Sequence, residues 1–106
     1  MGIDDKIVAE IVKRILSVTT PNRIILFGSA AMGGMTAESD IDLLILDDSP
    51  ADPREASIRV RNTLRGIEYP FDIIVMATAR FDETRNVIGG LAYPADKYGK
   101  VIYAHT

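Results

Sequence analysis

The chain has 106 residues, 47% of them hydrophobic, which is the size and composition of one globular domain with a single modest core. It contains no cysteine, which excludes disulfides, thiolate zinc sites and cysteine nucleophiles, and it has one histidine, His105. Carboxylates are therefore the main metal ligands on offer, which favours Mg²⁺ or Mn²⁺ over zinc. The net charge of −3, without a basic run, argues against tight nucleic-acid binding by this chain alone.

No targeting or membrane segment is evident in the sequence. The first residues lack a basic segment followed by an apolar stretch, and no apolar run approaches the ~20 residues of a membrane span. We therefore expect a cytoplasmic protein without membrane contact. Because no linker, repeat or low-complexity segment interrupts the chain, residues 1–106 are expected to form a single domain.

The first third of the chain predicts a helix, a strand and a loop. Apolar residues recur at helical spacing over residues 3–18, and Pro21 follows shortly afterwards. Arg23 to Phe27 is a short apolar strand. The segment from Gly28 to Ser39 is rich in glycine and small residues, which is typical of a loop.

The remainder alternates strands with helices. Ile41 to Leu46 reads as a buried strand, residues 53–66 as a helix and Phe71 to Ala77 as a third apolar strand. Residues 80–99 are expected to carry one or two short helices. Lys100 to Ala104 is a final short strand.

This order predicts an α/β (α+β) fold with a mixed four-stranded sheet. The helix between the second and third strands suits a crossover connection, which makes these two strands parallel. The first and second strands are joined by a loop. If the Gly-Ser end of the first strand is to meet the acidic start of the second, that pair runs antiparallel.

Three aspartates are candidate metal ligands. Asp40 and Asp42 are two apart at the start of a strand, so both side chains lie on one face, about 6.5–7 Å apart. Asp72 opens the third strand and would lie beside Asp42 in a parallel pair. Such carboxylates can hold two metal ions about 3.5–4 Å apart, as phosphoryl or nucleotidyl transfer requires. The alternative is that all three are ordinary solvated acids at strand ends.

Gly28 and Ser29 form a candidate phosphate site at the end of the first strand. Glycine lets the backbone approach a phosphate closely, and the serine hydroxyl and neighbouring N–H groups can bind its oxygens. By itself a Gly-Ser pair is also compatible with a simple turn. The ten-residue spacer that separates it from Asp40 makes the phosphate interpretation the more informative one.

Together these residues resemble the minimal nucleotidyltransferases of the DNA polymerase beta superfamily. The matching positions are Gly28-Ser29, the ten-residue spacer, Asp40 and Asp42 in Ser-Asp-Ile-Asp-Leu-Leu, and Asp72 in Phe-Asp-Ile-Ile-Val. The closing segment from Tyr98 to Tyr103 is also similar. The resemblance implies a nucleotidyltransferase-like fold with helices mainly on one face of the sheet.

The resemblance further implies Mg²⁺-dependent transfer of AMP from ATP, or of another nucleoside monophosphate from its triphosphate, to a hydroxyl group. Gly28 and Ser29 would hold the phosphates. Asp40, Asp42 and Asp72 would be the catalytic residues that bind two metal ions, Mg²⁺ or Mn²⁺. Similar proteins are the antitoxins of HEPN–MNT toxin–antitoxin modules and modify a tyrosine of their helical partner. A HEPN-type toxin, in a hetero-oligomer, or another copy in a homo-oligomer, would then supply the acceptor site.

Two further features leave alternatives open. Many relatives carry arginines just after Gly-Ser, where this chain has Ala30, Ala31 and Met32. This favours a second function class, a nucleotidyltransferase-fold binding module that neutralises a partner by contact with little or no catalysis. The arginines of the second helix are either a solvated face or a surface for a partner or phosphate; they are Arg54, Arg59, Arg61 and Arg65.

Overall fold

The structure, a computed structural model, describes residues 4–28, 40–48, 52–84 and 99–105. Within these ranges it has three helices and four strands, which confirms the predicted α/β class. In chain order they are α1 (Asp5–Val18), β1 (Arg23–Phe27), β2 (Ile41–Asp47), α2 (Pro53–Thr63), β3 (Phe71–Ala77), α3 (Thr78–Thr84) and β4 (Lys100–Ala104).

Helix α1 is bounded by local hydrogen bonds at both ends. It begins at Asp5, two residues later than predicted, because the Asp4 side chain accepts a hydrogen bond from the backbone N–H of Lys6 at 2.7 Å and caps the helix. The helix ends at Val18, as predicted. Thr19 has extended backbone angles, and Pro21 follows it.

Helix α2 starts as the sequence predicts and ends three residues earlier. The Asp52 carboxylate accepts hydrogen bonds from the backbone N–H groups of Arg54 and Glu55, which fixes the first turn. The helix stops at Thr63 because residues 64–66 form a turn in which Gly66 has a φ of +95°. That backbone conformation favours glycine.

Two other boundaries differ from prediction. Strand β2 continues one residue further than expected, to Asp47. Helix α3 begins at Thr78, directly after β3, and the structure describes it to Thr84. The rest of the predicted helical segment, residues 85–98, lies outside the described residues.

The four strands form one mixed sheet in the order β3-β2-β1-β4. Strands β1 and β2 are antiparallel, β2 and β3 are parallel, and β4 is antiparallel to β1. Both predicted pairings are therefore confirmed. The helix α2 supplies the connection that parallel strands need, whereas a loop joins the antiparallel pair.

The sheet separates two apolar clusters. On the helix-layer face, α1 and α2 pack over the strands; the buried residues of this cluster are Ile11, Ile15, Ile24, Leu26, Ile41, Leu43, Ile45, Val60, Leu64 and Ile73. The other side, which we call the Phe81 face, has a smaller buried cluster of Ile25, Leu44, Leu46 and Phe81. Strand β2 is buried on both sides, which explains its uninterrupted apolar run.

Among the described residues, no helix combines the length and apolar character that crossing a membrane would require.

Candidate functional site

The predicted acids gather at one end of the sheet, which we call the carboxylate end. Here β1 finishes and β2 and β3 begin, so Phe27 pairs with Asp42 in the antiparallel ladder and Asp42 pairs with Asp72 in the parallel one. Asp40 lies one residue before β2 and is exposed. The topology therefore brings Asp42 and Asp72 to the same level on adjacent strands, as predicted from the sequence.

Strand alternation places these acids on the Phe81 face. Asp42 has the same parity as Leu44 and Leu46, which are buried in that cluster, and Asp72 has the parity of Ile74 and Met76, which pack against it. The site therefore lies on the face of the sheet opposite α1 and α2.

One neighbour of the site was missed by sequence reasoning. Phe27 is cross-strand to Asp42 and packs against the Phe81-face cluster, so its ring borders the carboxylates from the β1 side. The antiparallel pairing of β1 and β2 was predicted, but without the register it could not identify which β1 side chain faces Asp42.

Gly28 is in direct contact with the Asp42 carboxylate. Its φ is +72°, a backbone conformation that side chains disfavour. A Cβ atom built on Gly28 would overlap Oδ2 of Asp42 and lie 3.3 Å from its Cγ. The backbone conformation thus favours glycine here, and a larger residue would also have to displace the Asp42 carboxylate from its present position. The sequence predicts that the Gly-Ser turn lies beside the aspartates, and Gly28 does lie against Asp42.

The pKa of Asp42 is raised above the ordinary aspartate value. Partial burial is the largest cause, followed by the negative charge of Asp72 and then that of Asp40. Asp42 therefore receives the combined repulsion of the other two carboxylates. A cation between them would reverse this effect and favour the ionised form.

The acids fit a divalent cation in composition, although the described side chains are not arranged as a closed ligand shell. In residues 4–28, 40–48, 52–84 and 99–105, no group of three acidic or histidine side chains is close enough to hold a metal ion as it stands. Adjacent strands lie about 4.8 Å apart, so side-chain rotation alone can bring the Asp42 and Asp72 oxygens together. Oxygen donors of this kind suit Mg²⁺ or Mn²⁺.

One predicted site residue is not described by the structure, and two further acids lie apart from the carboxylate end. Ser29, the second candidate phosphate-binding residue, lies outside the described residues. Asp47 and Asp48 are at the far end of β2 and are not part of the site. Asp47, Asp52 and Arg59 help to line a cavity of about 410 Å³ at that far end. This cavity lies away from the three acids whose charges interact.

Comparison with known proteins identifies a family and a fold. Residues 10–104 match the profile of the polymerase beta nucleotidyltransferase family. No curated protein matches the chain at a significant level of similarity.

Several solved structures have a similar fold. A toxin–antitoxin solved with AMP-PNP is 19% identical, with a TM-score of 0.61, and the match covers 93% of this chain and 74% of that one. An MntA-HpeT toxin–antitoxin carrying two Asp-to-Glu substitutions is 18% identical, with a TM-score of 0.72 and the same coverage. A protein from Sulfolobus solfataricus, provisionally described as a nucleotidyltransferase, is 22% identical with a TM-score of 0.63, covering 94% of this chain and 79% of that one.

Proposed function

Because this chain belongs to the polymerase beta nucleotidyltransferase family, we propose that it transfers AMP from ATP to a hydroxyl group of a partner protein in a Mg²⁺-dependent reaction. The observation that carries the proposal is the charge cluster at the carboxylate end. Asp42 is flanked by Asp72 on the neighbouring strand, lies against Gly28 and has a raised pKa from burial and from the other two acids. A divalent cation bound between these carboxylates would offset their repulsion.

The residues have distinct roles in the proposed reaction. Asp40, Asp42 and Asp72 would hold Mg²⁺, and Gly28 and Ser29 would bind the β- and γ-phosphates. When bound, Mg²⁺ supplies positive charge that stabilises the transferring phosphoryl group and the leaving group. The close approach of the Gly28 backbone to Asp42 supports a phosphate site beside the carboxylates.

The chemical step is a substitution at the α-phosphorus of ATP. The acceptor oxygen forms a new bond to that phosphorus, the bond to the β-phosphate oxygen breaks, and pyrophosphate leaves. The hydroxyl proton passes to the Asp72 carboxylate, which lies at the exposed start of β3. The products are an AMP ester of the acceptor and pyrophosphate.

The proposed acceptor is a tyrosine hydroxyl of a HEPN-type helical toxin, and the chain would be the antitoxin. Two proteins of similar fold are described as toxin–antitoxins, one of them solved with AMP-PNP. The carboxylates lie at an exposed end of the sheet, since Asp40 and Asp72 are both exposed. An acceptor carried on another protein can therefore reach them.

The test is incubation of the purified chain with the helical protein encoded beside it, Mg²⁺ and ATP labelled on the α-phosphate. We expect label on the partner, and we expect Asp42→Asn to abolish it. Asp48→Asn is the matched control, because Asp48 is an exposed acid at the far end of β2 and should leave the labelling unchanged. Appearance of label on the partner when the ATP is labelled on the γ-phosphate would contradict AMP transfer, because that phosphate leaves with pyrophosphate.

A binding module is the second candidate, favoured by Ala30, Ala31 and Met32, where many relatives carry arginines. In that case the same experiment yields a stable complex with the partner and no label at any Mg²⁺ concentration. Asp42→Asn would then leave neutralisation of the partner intact. The two candidates therefore give opposite results with one pair of proteins.

A further inference from the structure

Helix α2 presents a basic surface that the proposed reaction does not use. We call it the basic stripe and define it as Arg54, Ile58, Arg61 and Arg65. All four residues are exposed, and Ile58 is 51% exposed although it is one of the larger apolar side chains. The spacing of four, three and four residues places them on one side of the helix and of the turn that follows it.

The stripe faces away from the core. Val60 and Leu64, the residues of this segment that are buried in the helix-layer cluster, lie on the other side of the helix. On a helical projection at 100° per residue, Ile58 is about 160° from Val60. The stripe is therefore the outermost surface of the layer formed by α1 and α2.

The arginines of the stripe are not neutralised within the described part of the chain. The ion pairs recorded there are Arg14 with Glu10 and Arg23 with Asp82, and neither involves the stripe. The acids nearest in sequence are Asp52, Glu55 and Glu68, and in the described part of the chain none of them forms an ion pair with an arginine of the stripe. Three positive charges are thus concentrated on one surface of a protein with a net charge of −3.

The composition of the stripe indicates the kind of partner. A second copy docking through the same surface would place arginine against arginine, which excludes a two-fold pairing of α2 helices. A half-exposed isoleucine among the arginines suits a protein surface, because interfaces combine apolar anchors with arginine. Nucleic acid would offer Ile58 no apolar counterpart on its phosphates, and the net negative charge of the chain opposes it.

The stripe and the candidate site reach the same end of the sheet on opposite faces. Helix α2 connects the far end of β2 with the start of β3, so it runs from the far end toward the carboxylate end of the sheet. Arg54 is in its first turn, and Arg65 follows its last turn on the way to Asp72. The Arg65 end of the stripe therefore lies at the same end of the sheet as the carboxylates, but on the helix-layer face, whereas the acids lie on the Phe81 face.

We propose that the basic stripe is the docking surface for an acidic segment of the acceptor protein, with Ile58 packing against an apolar residue at the centre of that contact. The inference rests on the proposed function, since it assumes that the acceptor is a protein. It adds that the acceptor carries an acidic surface apart from the modified hydroxyl, because the stripe and the aspartates lie on opposite faces of the sheet. The stripe would then act in recognition and leave chemistry to the aspartates.

The experiment measures binding of the helical protein encoded beside this chain to wild-type and variant protein by calorimetry. We expect the double variant Arg54→Glu, Arg61→Glu to weaken binding about tenfold or more, because two exposed attractions become repulsions. Ile58→Asp should weaken it as well. Arg59→Glu is the matched control, because it changes the same charge on the same helix outside the stripe and should leave affinity within about twofold.

Each other outcome overturns the inference. Equal weakening by Arg59→Glu would show a general charge effect, and unchanged affinity in the double variant, or no binding of the neighbour at all, would show that the stripe does not recognise it. Binding of a short single-stranded RNA that the double variant alone loses would assign the stripe to nucleic acid. The binding experiment does not depend on AMP transfer. That reaction is tested separately, by comparing the labelling of the partner by the wild type and by Asp42→Asn.

Discussion

Gly28 and Asp42 show how strongly one contact can constrain two residues of a site. The carboxylate of Asp42 occupies the space that any side chain at position 28 would need, and the backbone of Gly28 has a φ of +72°. Gly66 offers a natural comparison, because it has a φ of +95° but nothing within 4 Å of the position that a Cβ would take. Comparison of substitutions at the two glycines therefore distinguishes the effect of backbone strain from the effect of contact with Asp42.

We predict that Gly28→Ala lowers the free energy of unfolding by more than Gly66→Ala. Backbone strain accounts for about 1–2 kcal/mol in each variant, and overlap with Asp42 adds to it only at position 28. Urea unfolding of both variants measures the difference. In an Asp42→Ala background the extra loss at Gly28 should disappear, and its persistence would show that the contact is not the cause.

We also predict that stability depends on pH through Asp42. Its pKa is raised in the folded state, so between about pH 4, the ordinary aspartate value, and the raised pKa the folded protein holds more protons than the unfolded chain. The contribution of this group to the free energy of unfolding therefore falls as pH rises through that range and is level above it.

The side-chain amide of the Asp42→Asn variant does not titrate, so in this variant the free energy of unfolding should not show this decrease with rising pH. In chelator-treated samples we expect the variant to be more stable than the wild type at neutral pH and equal to it below pH 4. Urea unfolding across a pH series measures both curves. Parallel curves for the two proteins would contradict the assigned cause.

At the scale of elements, the helix layer is held together partly by one arginine. Arg14 of α1 donates from Nη1 to the backbone carbonyls of Thr63 at 3.2 Å and Arg65 at 2.7 Å, and its Nε contacts Glu10 at 3.2 Å. It thus satisfies carbonyls that α2 leaves without a helical partner and places positive charge at the C-terminal end of that helix. Because α2 leads into β3, this contact also supports the connection that delivers Asp72.

We predict that Arg14→Met lowers the free energy of unfolding by about 1–2 kcal/mol, since charged hydrogen bonds to two carbonyls are lost while the aliphatic stem is kept. Lys13→Met, an exposed neighbour on the same helix, is the control and should change stability little. Thermal or urea unfolding of both variants is the measurement. Equal losses would indicate that helix α1 responds to any such substitution.

At the scale of the whole molecule, the mixed topology brings separate parts of the chain to one end. The loop connection makes β1 and β2 antiparallel, and the α2 connection makes β2 and β3 parallel. The end of β1 therefore meets the starts of β2 and β3. This arrangement places negatively charged side chains close together. A ligand that binds only the folded state stabilises it, so a cation bound by these side chains would stabilise the domain.

We predict that millimolar Mg²⁺ raises the thermal midpoint of the wild-type protein and that Asp42→Asn loses this shift. A bound cation would relieve the repulsion that Asp72 and Asp40 exert on Asp42 in the folded state. Sodium chloride at matched ionic strength is the control for screening. A shift of equal size with sodium, or an undiminished shift in the variant, would contradict a specific cation site.

The sequence by itself determined the four strands, the helices between them, the pairing directions and the alignment of Asp42 with Asp72, because apolar periodicity and connection length are local properties of the chain. Tertiary structure alone decided two things: that the Asp42 carboxylate fills the space above Gly28, and that Phe27 is its cross-strand neighbour. Both depend on the register of β1 against β2. That register is set by packing between segments distant in sequence, and no local pattern encodes it.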